Sequence, residues 1–241
     1  MIEDSLKVKL TIKDNKLEEI NQRMNYIMGL DIKKNENKEY LIPKELFADD
    51  KRVNDVIRYI IDIKDNKISI KTIEKSIKSK NDIDAEYYKN HKKIVIIIES
   101  PHRYEYTFDY KPIGPAQGKT GIMIEKNIHN ILKKYEIKEG KYIVIISNPV
   151  QFQASLGTFY SGEINKSIRN RIWLQLYNIY ENDFISRLKE YDPNYILNAT
   201  TSDKTNKIKS TLKGDENLKN ITLESSYHPS YWTNGKIKFK E

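Results

Sequence analysis

Residues 94–105 read IVIIIESPHRYE. The β-branched run of Ile94, Val95, Ile96, Ile97 and Ile98 is the signature of a strand buried on both faces. Residues 142–146, YIVII, form a second such run, and residues 195–197 and 221–223 are shorter candidates. Between these runs lie apolar residues at helical spacing: Ile124, Ile128, Ile131 and Leu132, then Ile168, Ile172, Leu176 and Ile179, then Ile208 and Leu212. Strands alternating with helices predict an α/β fold with a central parallel four-stranded sheet flanked by helices. In such sheets ligands bind beyond the carboxyl ends of the strands, so the residues after each run are the place to look for chemistry.

The part before Ile94 reads differently. Residues 6–12, LKVKLTI, alternate and predict a half-exposed strand. Leu17, Ile20, Met24, Ile27 and Met28 follow helical spacing, and so do Val53, Val56, Ile57, Ile60 and Ile61. The string IKDNK begins at Ile12 and again at Ile63, but its flanks do not repeat, which is composition and not duplication. Residues 78–82, KSKND, are polar and turn-like, a candidate linker. The expected organisation is an α-rich N-terminal region over 1–85 and an α/β catalytic domain over 86–241.

Composition bounds the function. The chain has 241 residues, 38% apolar and 32% charged, and no apolar run nears the roughly 18 residues that span a bilayer. MIEDSLKVKL has no apolar signal core, so a cytoplasmic protein without a membrane partner is expected. The absence of cysteine excludes disulfides, Cys-ligated zinc and a Cys-held iron–sulfur cluster, and no metal or cofactor is expected. A net charge of +8 fits a nucleic-acid partner, although a Lys, Ile and Asn bias produces the same number. Seventeen tyrosines supply faces that stack on bases, or ordinary filler.

Three strand ends carry polar chemistry: Glu99 in ESPHRYE, Asn148 in SNPVQFQ and His228 in SSYHPSYW. Each has a plain structural reading as a helix cap, a turn before Pro149 or a structural histidine. Together they place a carboxylate, an amide and an imidazole at the ends of separate strands. A competing motif is PIGPAQGKTG at 112–121, which ends like a nucleotide phosphate loop. That loop needs its first glycine five residues before Gly118 and directly after a strand. Position 113 is Ile113, the glycine is Gly114, and the nearest strong strand lies well upstream.

The ordered set of segments resembles the uracil-DNA glycosylase superfamily. Its members carry a short motif after the first core strand, matched by Glu99, Ser100, Pro101 and His102. The iron–sulfur branch follows with an acidic pair and P-F-V-G-P-A-G, matched by Glu105 and then Pro112, Ile113, Gly114, Pro115 and Ala116. A strand ending in Asn corresponds to Ser147 and Asn148, and a late H-P-S to His228, Pro229 and Ser230. The resemblance spans residues 92–232.

The resemblance implies a monofunctional DNA glycosylase whose partner is DNA, duplex with a flipped base or single-stranded, and whose product is an abasic site. It implies that Glu99 faces the developing sugar cation, that His228 stabilises the departing base, and that Asn148 reads the base edge with adjacent donor and acceptor. Ser100, Ser147, Ser230 and the Gly114 turn, with Lys119, would hold DNA phosphates, and Tyr231 or Trp232 would fill the gap left by the base. The essential carboxylate is Glu99, Glu105 or Asp109. Three departures stand out: the cluster cysteines are missing, the base-stacking Phe is Ile113, and a thymine-excluding Tyr is His102. With Ser100 and Pro101 these shape the expected pocket. Superfamily members of the anti-phage Brig type remove glucosylated hydroxymethylcytosine, and the altered pocket makes a modified pyrimidine of phage DNA the expected substrate. The alternatives are uracil repair, a catalytically inactive DNA-binding protein, and a P-loop nucleotide enzyme.

Overall fold

The structure, a computed structural model, describes residues 2, 4–9, 12–65, 67–134, 136–156 and 166–232. The chain divides into two compact units: Met1–Val53 with Ser100–Ile113 and Val150–Asn182, and Asn54–Glu99 with Gly114–Pro149 and Asp183–Glu241. No helix among the described residues is long and apolar enough to cross a membrane.

The first unit contains a small antiparallel sheet of β1 (Ser5–Val8), β2 (Lys33–Lys34) and β3 (Tyr40–Pro43), ordered β1-β3-β2. Positions 10 and 11 of the predicted first strand lie outside the described residues. The chain between β1 and β2 forms α1 (Asp14–Met28), which buries Ile20 and Met24 one turn apart. Gly29 ends it with φ +67°, a left-handed conformation glycine adopts without a Cβ clash. In the loop 100–113 the rings of Tyr106 and Tyr110 stack at 4.5 Å, both buried. Burial pushes both phenol pKa values well above the ordinary value. Thr107 N donates to Lys111 O at 2.9 Å, so this loop is a closed turn with Phe108 exposed.

The second unit carries the main sheet. Its strands are β4 (Val56–Lys64), β5 (Lys67–Ser76), β6 (Lys92–Ile97), β7 (Gly140–Ser147), β8 (Tyr195–Asn198) and β9 (Thr222–Ser225), ordered β5-β4-β7-β6-β8-β9. The neighbours among β7, β6, β8 and β9 pair parallel, while β4 runs antiparallel to both β7 and β5. Ile94 to Ile97 of β6 are all buried, as a strand flanked by helices on both faces requires. The connecting helices are α2 (Lys119–Lys134), α3 (Lys166–Tyr191), whose last turns belong to this unit, and α4 (Ser202–Gly214).

Two expectations change. The sheet is mixed and six-stranded, not a central parallel sheet of four. The residues Val56 to Ile61 are strand and not helix, so 1–85 holds α1 and β1–β5 among the described residues and is not α-rich. The apolar positions there satisfy helical spacing, but Ile57, Tyr59, Ile61 and Ile63 also alternate along a strand and are buried. Their β-branched and aromatic side chains favour the extended chain. Asp65, at φ +49°, turns the hairpin where Lys64 pairs with Lys67.

Between Ile57 and Tyr59 the register of β4 shifts against both neighbours. Arg58 sits at this irregularity, donating to Pro115 O and lying 3.5 Å from Glu74. The pairing ties the loop before α2 to the sheet. The start of α2 packs tightly on that loop: a Cβ on Gly121 would lie 1.9 Å from Ala116 O. Gly121→Ala is therefore expected to cost about 1–3 kcal/mol by overpacking, read as a lower midpoint in thermal unfolding. An unchanged midpoint would show that the loop yields.

Candidate functional site

The register of the second unit aligns four strand ends. Ile97 lies opposite Ser147 on one side and Asn198 on the other, and Asn198 lies opposite Ser225. Glu99, Asn148, Thr200 and His228 therefore follow the same edge of the sheet. Asn148 and Glu99 succeed neighbouring strands about 4.8 Å apart, whereas the strand before His228 is two spacings, roughly 10 Å, from that before Glu99.

Glu99 is buried, and both carboxylate oxygens are engaged. Oε1 accepts the backbone N–H of Thr201 at 2.8 Å, and Oε2 lies 3.2 Å from Lys204 Nζ. Thr201 precedes α4, so the acceptor meets the positive end of a helix. Lys204 is itself buried and reaches Thr201 Oγ1 at 3.3 Å. Neither Lys204 nor Thr201 stood out in the sequence. Their only signal was a helix start after a strand.

Asn148 is fully buried. Its main chain is held on both sides: N–H donates to Asp55 Oδ1 at 3.1 Å, and C=O accepts from Arg187 Nη2 at 3.0 Å. Its side-chain Oδ1 and Nδ2 have no hydrogen-bond partner among the described residues. The other carboxylate oxygen of Asp55 accepts from Ser147 Oγ at 2.8 Å, from Tyr191 OH at 2.8 Å and from Arg187 Nη1. Burial opposes the Arg187 charge, but Asp55, Tyr191 and Asp183 outweigh it and hold its pKa above the ordinary value. Burial, then Asp55, pushes the Tyr191 phenol far up.

His228 caps the short turn Pro229–Tyr231. Its Nδ1 accepts the Ser230 N–H at 3.3 Å and lies 2.8 Å from Ser230 Oγ. Because a backbone N–H can only donate, a neutral His228 ring carries its proton on Nε2. Ser230 thus serves the imidazole. Ser147 is also not a phosphate ligand: it is fully buried and bound to Asp55. Trp232, a candidate gap-filler, is 2% exposed, packs in the core with Ile98, Ile124 and Ala199, and donates from Nε1 to Tyr227 O at 2.7 Å. Tyr231, 66% exposed, is the surface member of that pair.

Ser100, Pro101, His102 and Ile113 belong to the first unit. There Glu105 connects two of them: its Oε2 accepts the His102 N–H at 2.6 Å and its O accepts the Ile113 N–H at 2.8 Å. Ser100 is half-buried, Pro101 buried, and Ile113 55% exposed. His102 is exposed as a residue, yet partial burial of its ring, with Arg103 and Arg169, lowers its pKa below the ordinary value. Asp109 is exposed and 3.8 Å from Lys111. In the second unit Gly114 is buried beside Glu74, and Lys119 is exposed at the start of α2. Residues 98–118 separate β6 from α2, so the Gly-Lys-Thr turn does not directly follow a strand.

No protein-family model, no curated protein and no solved structure matches this chain.

Proposed function

We propose that this protein is a monofunctional DNA glycosylase that removes an extruded pyrimidine and leaves an abasic site. The reading is carried by Asn148, whose carboxamide is buried with neither atom partnered among the described residues. An unsatisfied buried polar group costs about 1–3 kcal/mol, so such an amide is most economically explained by a ligand that satisfies it. A carboxamide offers a donor beside an acceptor, and a pyrimidine edge offers the complement. On the adjacent strand end Glu99 supplies fixed negative charge for the cation that grows at the sugar. His228 supplies an Nε2 proton for the anion that grows on the base. The base leaves with the electron pair of the glycosidic bond and takes the His228 Nε2 proton, water adds to the sugar carbon, and the proton that this water releases passes to solvent, from which His228 is reprotonated.

The resemblance sets Ile113 and His102 where members of the uracil-DNA glycosylase superfamily carry rings, and on that departure in sequence we favour a larger pyrimidine such as glucosylated hydroxymethylcytosine over uracil. The deciding experiment scores abasic sites on uracil DNA, unmodified DNA and phage DNAs bearing hydroxymethyl or glucosyl cytosine. Cleavage of modified DNA, abolished by Asn148→Ala, is the expected result. Cleavage of uracil DNA alone would make it a repair enzyme. No abasic sites on any of them would overturn the reading.

A further inference from the structure

We infer that the Asp55–Arg187 ion pair is the positioning device for Asn148, fixing the main chain so that its amide meets the base edge at one place. The inference rests on the reading of Asn148 given above, and names residues that do not themselves touch the base. Asp55 immediately precedes β4, and the register that sets Val56 opposite Ile146 brings it to the end of β7. Arg187 comes from the last turns of α3. The two side chains meet each other and also bracket one residue: Asp55 takes the Asn148 N–H and Arg187 donates to the Asn148 C=O. The result is a closed ring of hydrogen bonds around a single peptide position.

The ring is built where side-chain anchoring is missing. No hydrogen bond from the described residues orients the Asn148 amide, so the directional bonds that set its place are those to its main chain. The carboxylate has little freedom of its own, because Ser147 and Tyr191 occupy its Oδ2 along with Arg187. A buried ion pair adds little net stability over apolar residues of the same volume. Its directional bonds do, however, specify a position, and misplacing a reacting group by an ångström can cost about a hundred-fold in rate.

The test compares Asn148→Ala, Asp55→Asn and Arg187→Lys in the full chain, on whichever DNA the panel identifies. Asp55→Asn is expected to slow single-turnover excision by about a hundred-fold and to narrow the rate ratio between preferred and competing bases. Arg187→Lys keeps the charge but lacks the fork that reaches both Asp55 and Asn148, and is expected to fall between parent and Asp55→Asn. Loss of thermal stability with an unchanged base ratio is what a purely structural pair would give, and overturns the inference. If Asn148→Ala excises as well as the parent, the base-reading role fails separately. The positioning claim is then decided in DNA-free protein by amide hydrogen exchange. The Asn148 amide is expected to exchange at least about tenfold faster in Asp55→Asn and faster in Tyr191→Phe, with Ile145 unchanged. Equal exchange at Asn148 in all three proteins overturns the positioning claim.

Discussion

Glu99→Gln is expected to reduce single-turnover base excision by about 10²–10³-fold, the usual loss when one preorganised electrostatic group is removed. The substitution preserves shape, so Oε1 can still accept from Thr201. It removes the charge that the proposed mechanism sets against the sugar cation, and it leaves the buried Lys204 ammonium opposite an amide. Some stability is therefore lost along with activity, and the two are separable. Lys204→Met added to Glu99→Gln removes that buried charge, so the double variant is expected to regain stability without regaining excision. Excision by Glu99→Gln at the parental rate would remove the carboxylate from the mechanism. The other two candidate carboxylates are otherwise disposed: Glu105 caps the His102 turn, and Asp109 is an exposed partner of Lys111.

Asp55→Ala is expected to lower the unfolding free energy by about 3–5 kcal/mol, because it leaves the Arg187 guanidinium with Asp183 but without its buried carboxylate, and takes the acceptor from Ser147, Tyr191 and the Asn148 N–H. For a chain of this size that corresponds to a drop in melting temperature of roughly 6–20 °C. The paired replacement Asp55→Leu with Arg187→Met takes out both charges but leaves the Asn148 main chain, Ser147 and Tyr191 without these partners, so it is expected to recover only part of the loss. Thermal unfolding of the single and paired variants decides the matter. A single variant as stable as the parent would mean that Arg187 finds other compensation.

The two central parallel strands, β6 and β7, were legible because burial on both faces leaves an uninterrupted, largely β-branched run, as in 94–98. The hairpin of β4 and β5 was not. Val56, Ile57, Ile60 and Ile61 fit a helical stripe, and only pairing with β7 decides for the strand. Glu99, Asn148 and His228 were candidates because ligands bind beyond that edge of such sheets, and the register does set all three along one edge. Their supports could not be picked out. Thr201 is 102 residues from Glu99, and Arg187 is 132 from Asp55, distances over which no local pattern speaks. Ser147 and Trp232 were misjudged for a related reason. A motif names residues in order but does not say which turn inward, and both do.

The hairpin that enlarges the sheet also creates a hazard. Among the described residues β5 pairs with β4 on one side only, which leaves the other edge of a ten-residue strand as a template for a foreign strand. Its sequence, KISIKTIEKS, is rich enough in isoleucine to invite self-association. Lys67 and Lys71 are exposed along it four residues apart, and bringing two such edges together would crowd their ammonium groups against one another, whereas Lys75 is paired with Asp82. Neutralising Lys67 and Lys71 is therefore expected to make the protein prone to clump while leaving its fold intact, which gives their charge a use that needs no polyanion.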